Sequence, residues 1–449
     1  MKKILFGTLM LASLFSVTSC VKVNFDDGGT VVGPVVESNV ITGVISSSKF
    51  YAKGKWILKG YVYVTNGATI TFEAGCVVQS DVTEKGALII ERGAKLIASG
   101  SSTMPIVFTS GKAIGSRAPG DWGGIILLGK APTNRPLDPA PTIEGGVGRQ
   151  YGGTDPLDES GILRYVRIEY AGIAAEPGSE INGLTCGGVG SGTIIENVQV
   201  SFGNDDAYEF FGGTVNAKNL VAFATADDDF DFDFGYTGKI QFAVSCRKPD
   251  FVDAGDAGNG IECDNDAASS LATPRTKPQL SNFTIIGPND ASGTVANHNF
   301  SNRWRRATQF VLRNSILMGH PDAGFSTESD ATLNDYYTNN ISEFKNNLVH
   351  ASTLPYKTAN AAIATNAQIQ TKAEADGCIT LATSAAAMLT SPFYSTTPNF
   401  LPAVGSPALS GTSFTGMNAF FTSTTYRGAF GTTNWTSGWC NWDPQNTVY

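Results

Sequence analysis

The chain has 449 residues, 42% of them apolar and only 16% charged, with 50 glycines and 20 prolines. That apolar fraction supports a packed core and excludes a wholly disordered protein, while abundant turn formers beside Val, Ile and Thr favour β-structure over a helical bundle. A balance of 31 basic to 40 acidic side chains excludes the basic face that nucleic acid requires and suits cations or neutral sugars instead.

The first element is an export signal. Met1-Lys2-Lys3 precedes an apolar run, residues 4–15, that is too short to span a bilayer. Val17-Thr18-Ser19-Cys20 follows and resembles the lipobox of bacterial lipoproteins, in which a small residue stands directly before the lipidated cysteine. The resemblance implies a signal peptide over residues 1–19 and a lipid anchor on Cys20, with two or three acyl chains giving stable attachment. Residues 20–39 read as a flexible tether, and Asp26-Asp27 within them resembles the surface-export signal of some Gram-negative lipoproteins. No later stretch reaches about 18 uninterrupted apolar residues. The expected location is the outer membrane, lipid-anchored at the cell surface, with the periplasmic face as the alternative.

From residue 40 the chain becomes a series of short β-like runs separated by Gly, Asn and Asp: residues 55–64, 68–72, 87–90, 94–98 and 105–109, then runs beginning at Ile125, Leu163, Glu196, Lys218, Lys239, Leu280, Leu312 and Phe344. Asn197, Asn219, Asn282, Asn314 and Asn346 stand at a fixed place before an aliphatic residue, at spacings of 22, 63, 32 and 32. Three steps of 21 account for the 63, with Ile240 and Ile261 at the intermediate positions. Steps of this size without intervening helices predict an all-β parallel β-helix over residues 40–355, each coil stacking on the last with asparagines bonded between coils. A β-sandwich competes, but its hairpin turns at about 8–12-residue spacing are missing. Residues 359–375 form the one convincing helical stretch, and residues 356–449 are expected to be a small C-terminal cap over the open end of the core.

Acidic residues carry the candidate chemistry. Asn204-Asp205-Asp206-Ala207-Tyr208-Glu209 and the run Asp227 to Asp233 lie 22 residues apart, so a coil step of that length stacks them. Glu262, Asp264, Asn265 and Asp266 follow. Carboxylates stacked at about 4.8 Å repel one another, and Ca²⁺ with its six to eight oxygen ligands relieves the repulsion. Asp205, Asp206, Asp227, Asp229 and Asp231 are the expected metal ligands; Asx turns or solvated carboxylates remain the alternative. Strand alternation places Asp227, Asp229, Asp231 and Asp233 on one face, opposite Phe230, Phe232 and Phe234. Glu209, Asp233, Trp304 and Arg305 complete a candidate ligand-binding face, and Arg247, Lys248, Arg303 and Arg306 offer further cations for a lyase. No nucleophile motif surrounds His298, His320 or His350, so catalytic residues are not assigned. Six cysteines beyond Cys20 permit three disulfides, with Cys246–Cys263 and Cys378–Cys440 as the expected pairs.

Residues 87–94 (Ala-Leu-Ile-Ile-Glu-Arg-Gly-Ala), Pro119 to Gly124, Asn182-Gly183-Leu184, Phe211 to Asn216 and the ending Gly428-Ala429-Phe430-Gly431 resemble a family of Gram-negative outer-membrane and surface lipoproteins, often labelled multidrug transporters. The resemblance spans nearly all of the chain beyond residue 40 and implies a right-handed parallel β-helix; without a membrane span the transporter label has no physical basis. Lipid anchoring, a long solenoid face and the lack of a hydrolase signature make a non-enzymatic binding or scaffold protein the expected function, for a glycan or an outer-membrane receptor. Paired acids suit a calcium-dependent polysaccharide lyase or glycosidase as the alternative.

Overall fold

The computed structural model describes residues 39–449 except 177, 178 and 256. The signal peptide, the Cys20 anchor and nearly all of the tether lie outside the described residues.

Among the described residues, the predicted runs become strands that pair in parallel with the strand one coil away. Three sheets result. In the first, Leu88–Ile90, Ile125–Leu128, Leu184–Gly187, Tyr208–Phe211, Phe230–Asp233, Glu262–Cys263, Arg303–Trp304, Ala323–Thr327 and Leu354–Thr358 stack in turn. The second and third sheets share long strands bent at one residue, such as Ile194–Ser201, Asn216–Phe223 and Lys239–Cys246. The chain is a parallel β-helix, and the sandwich reading falls with the parallel pairing.

The bend explains the asparagine series. Asn197, Asn219, Asn282, Asn314 and Asn346 each adopt φ between 56° and 59°. Asparagine tolerates this left-handed corner better than other residues with a Cβ. The expected division of the 63-residue gap into three coils is wrong: Ala217 pairs with Ile240, and Ile240 with Leu280, so two coils fill it. Phe242 takes the intermediate corner at φ 63°, and Tyr165 takes the corner before Asn197 at φ 51°. Corner geometry, set by the stacking of neighbours, overrides the local preference.

Alternation fills the interior. Leu163, Ile195, Ala217, Ile240, Leu280, Leu312 and Phe344 form one inward column of the second sheet. In the first sheet the rings stack: Tyr208 on Phe230 at 5.2 Å and Phe210 on Phe232 at 5.3 Å. The third sheet is also apolar outside, through Val221, Phe223, Val244, Ile286, Ile316, Met318 and Leu348.

That second apolar face decides the course of the C-terminus. Helix α2, Asn366–Ala375, is capped by Thr365 and Gln368 and adds Ile369 and Ala373 to the end of the solenoid core. The remainder, from about residue 382, runs back as a strap along the third sheet. Ser413 bonds Asn314, Thr422 bonds Gln241, Asn441 bonds Gln199, and Thr447 accepts from Arg117. Its residues Phe400, Ala429, Phe430 and Trp439 cover the apolar flank. A second helix was not legible in the sequence: α1, Asp330–Tyr337, capped by Ser329, buries Leu333 and Tyr336.

The described cysteines are free thiols, which corrects the expected disulfides. Cys246 faces outward against the strap, whereas Cys263 points into the solenoid beside Thr308. Cys378 likewise belongs to the inner core, and Cys440 packs on the outer flank. A thiol on the outer flank cannot be bridged to one inside the solenoid.

Candidate functional site

The site lies where the third sheet turns into the first. Four successive turns deliver a polar residue, and three positions later the first sheet presents another: Asn182 with Thr185, Asp206 with Glu209, Asp228 with Asp231, and Asn259 with Glu262. Thr185, Glu209, Asp231 and Glu262 are register partners in one outward column. Phe230 and Phe232 point inward, wholly buried, as the alternation requires.

These turns and two loops enclose a cavity of about 260 Å³ lined by Glu144, Glu180, Asn182, Asp205, Asp206, Glu209, Asp227, Asp228, Asp231 and Glu262. Nine of the ten are carboxylates. Asp206, Glu209 and Asp228 are 7%, 8% and 5% exposed. Carboxylate oxygens of Asp205, Asp206 and Asp227 lie within 4.8 Å of one another, as do those of Asp206, Glu209 and Asp231, so Asp206 belongs to both groups.

Hydrogen bonds orient the acids without neutralising them. Asp206 Oδ1 accepts from the backbone N–H of Asp228 at 2.7 Å, and Asp228 Oδ1 accepts from that of Asn259 at 2.6 Å. The Asn182 amide donates to Glu209 and Glu144. Among the described residues, Lys and Arg form no ion pair with Asp205, Asp206, Glu209 or Asp231. Cations gather at one edge instead. Arg303 pairs with Glu262 at 3.1 Å and with Glu328 at 2.9 Å; Arg305 and Arg306 pair with Asp264 at 2.9 and 2.7 Å.

Burial, and then the neighbouring carboxylates, push Asp205, Asp206, Glu209, Asp228 and Asp231 well above the ordinary carboxylate range. The fit to a hard cation follows from two observations: the carboxylates offer only oxygens, and Asp231 Oδ1 is a buried acceptor without a donor among the described residues. Asp205, Asp206, Glu209, Asp227 and Asp231 would hold Ca²⁺. The raised values also set a sign for the calcium-free protein. The stability contributed by these five carboxyls is fully present below the unfolded carboxylate pKa of about 4 and is lost as pH rises through the raised folded values. In chelator the melting temperature is expected to fall as pH rises from about 5 to 8; calorimetry giving a flat or rising profile contradicts it.

The sequence-predicted residues divide. The cavity brings Asp205, Asp206, Glu209, Asp227 and Asp231 together. Asp233 lies further along the strand, where its carboxylate accepts from the N–H of Phe234. Arg305 stands at the cationic edge, held by Asp264 and Glu262. Two expectations are corrected. Asp229 is not in the ligand set: the strand begins at Phe230, alternation does not extend back into the turn, and Asp229 is wholly buried against Arg247 at 3.2 Å. Trp304 is not on the ligand-binding face, because it shares the inward column of Phe232 and Cys263 and stacks on Phe310 at 4.2 Å. Arg247, likewise wholly buried, cannot reach a substrate. Glu144 and Glu180 went unrecognised because they lie outside the repeat, Glu144 on a loop and Glu180 in a short antiparallel strand, Ser179–Glu180. The polar residue three positions before each column residue was the readable signal for Asn182, Asp228 and Asn259.

Residues 43–390 match the family described as the pectate-lyase-like β-helix domain. The crystal structure of pectate lyase Pel9A aligns over 82% of this chain and 88% of its own, at 12% identity and a TM-score of 0.43. No curated protein matches the chain.

Proposed function

The chain belongs to the pectate-lyase-like β-helix family, and from that premise we propose that it captures an acidic polysaccharide through calcium held at the stacked carboxylates, without cleaving it. The carrying observation is the cavity itself: nearly all of its lining residues are acids, and among the described residues Asp205, Asp206, Glu209 and Asp231 have no lysine or arginine in ion-pair contact. Asp205, Asp206, Glu209, Asp227 and Asp231 would hold the ion, which would supply positive charge for sugar carboxylates or hydroxyls. Arg303, Arg305 and Arg306, each paired with an acid, stand beside that point as guanidinium donors. In the same reading the protein is anchored by lipid at Cys20 to the outer membrane, facing the cell surface.

Binding is favoured over turnover by the state of Arg305. Burial alone would lower the pKa of Arg305, yet Glu262 and Asp264 hold it above its ordinary value. A guanidinium so held is a poor proton acceptor. The alternative, a calcium-dependent polysaccharide lyase or glycosidase, draws on the family name and on the adjoining acids and arginines.

One experiment separates the readings. The soluble form lacking residues 1–20 is incubated with acidic and neutral polysaccharides, with calcium or chelator, and binding and product release are followed in parallel. Saturable, calcium-dependent binding to acidic chains without products is expected. Ultraviolet-absorbing unsaturated products, abolished by Asp205→Ala or Arg305→Ala, would establish the lyase instead. If no polysaccharide binds, a stable receptor co-purifying from outer membranes would assign the scaffold role. An unmodified Cys20 in the mature protein, seen by mass spectrometry, would remove the anchor.

A further inference from the structure

We propose that Arg247 is a positioning residue for the cation site: it holds the acidic turn in the shape that presents Asp227 and Asp228. The inference rests on the calcium reading and goes beyond it by assigning a role to a residue outside the carboxylate cluster.

Arg247 follows the strand Lys239–Cys246 and is 0% exposed, a rare state for an arginine. Its guanidinium lies beneath the turn that carries the acids. Nη2 donates to the carbonyl of Ala226 at 3.0 Å. Nη1 donates to the carbonyl of Asp227, to Asp229 Oδ1 at 3.2 Å and to the carbonyl of Asn259 at 3.5 Å. One planar fork thus ties two coils from inside. The carbonyls it receives belong to the turn bearing Asp227 and Asp228 and to Asn259 on the coil above.

Asn259 passes the constraint on. Its N–H donates to Asp228 Oδ1 at 2.6 Å and its amide to Glu262 Oε2 at 3.2 Å. With the carbonyls turned inward to the guanidinium, the side chains of residues 227 and 228 turn outward to the cavity. Asp229 is the orienting counter-charge, fixed in turn by Thr225 Oγ1 at 2.7 Å. Lysine cannot substitute, because an ammonium lacks the planar fork. Space for the guanidinium is kept by Gly258, where a Cβ would sit 1.9 Å from Arg247 Nη2.

The test uses the full chain, with Ca²⁺ titrated calorimetrically and Tb³⁺ as a luminescent probe. Arg247→Lys retains the charge against Asp229 but loses the fork, and Gly258→Ala displaces the fork by steric contact while leaving Arg247 itself unsubstituted. Each folded variant is expected to bind Ca²⁺ about 10- to 100-fold more weakly, the usual effect of removing a group that orients metal ligands. The Tb³⁺ emission lifetime is expected to shorten as water replaces a misdirected carboxylate, a signature that a purely structural loss does not produce. Should Arg247→Lys fail to fold, Gly258→Ala decides alone. Wild-type affinity and lifetime in a folded variant overturn the role of Arg247. A wild-type protein that binds neither ion overturns the calcium reading, and this inference with it.

Discussion

Calcium added to the purified protein is expected to raise its melting temperature, and chelator to reverse the gain. Only the folded chain brings acids from successive coils and separate loops into one cavity, so calcium has little affinity for the unfolded state. A ligand of this kind stabilises by about 2.7 kcal/mol at 100 times its dissociation constant. Asp206→Asn is the decisive variant, because Asp206 belongs to both groups of closely approaching oxygens. Its amide oxygen still accepts the Asp228 N–H, so the turn is retained. The variant is expected to lose most of the calcium effect, yet in chelator to match or exceed the wild-type melting temperature, since one repelling charge is gone. Calorimetry showing an undiminished calcium shift in Asp206→Asn would sink the assignment.

The second large effect concerns the strap. Asn282 is wholly buried at a left-handed corner, φ 59°. Its Nδ2 donates to Thr424 Oγ1 at 3.1 Å, to the Tyr426 carbonyl at 3.0 Å and to the Gly428 carbonyl at 3.2 Å, while Oδ1 accepts from Gln241 at 3.0 Å. Alanine cannot make these bonds and is strained at positive φ. Corner strain contributes about 1–2 kcal/mol and unsatisfied buried acceptors about 1–3 kcal/mol. Asn282→Ala is therefore expected to destabilise by roughly 2–5 kcal/mol in urea unfolding, and to make residues 409–428 the earliest site of proteolysis. A loss below about 1 kcal/mol, with the strap still protected, would contradict this account of how the flank is closed.

Asn282 also marks how far local sequence reaches. Asparagine before an aliphatic residue disclosed corners, aliphatic runs disclosed strands, and the 32-residue steps from Asn282 to Asn346 disclosed coils, because each is a property of a few adjacent residues. The acids at 205–209 and 227–231 were legible as stacked for the same reason: their coil carries no insertion, and the register pairs Glu209 with Asp231 directly.

Where coils carry insertions, the sequence loses the count. The segment between Cys246 and Gln279 lengthens one step, and Phe242 stands where the asparagine would have marked it. Loop closure costs only about 0.6 kcal/mol for each doubling of length, so a solenoid accepts unequal turns and the period need not be kept. Tertiary structure alone decided that Glu144 and Glu180 enter the cavity, that Asp229 turns inward to Arg247, and that Trp304 joins the core. It alone sent the C-terminus along the flank, because the outward residues of the third sheet form an apolar face only when coils stack. Single strands declare which side chains alternate; the stacking decides which of them meet.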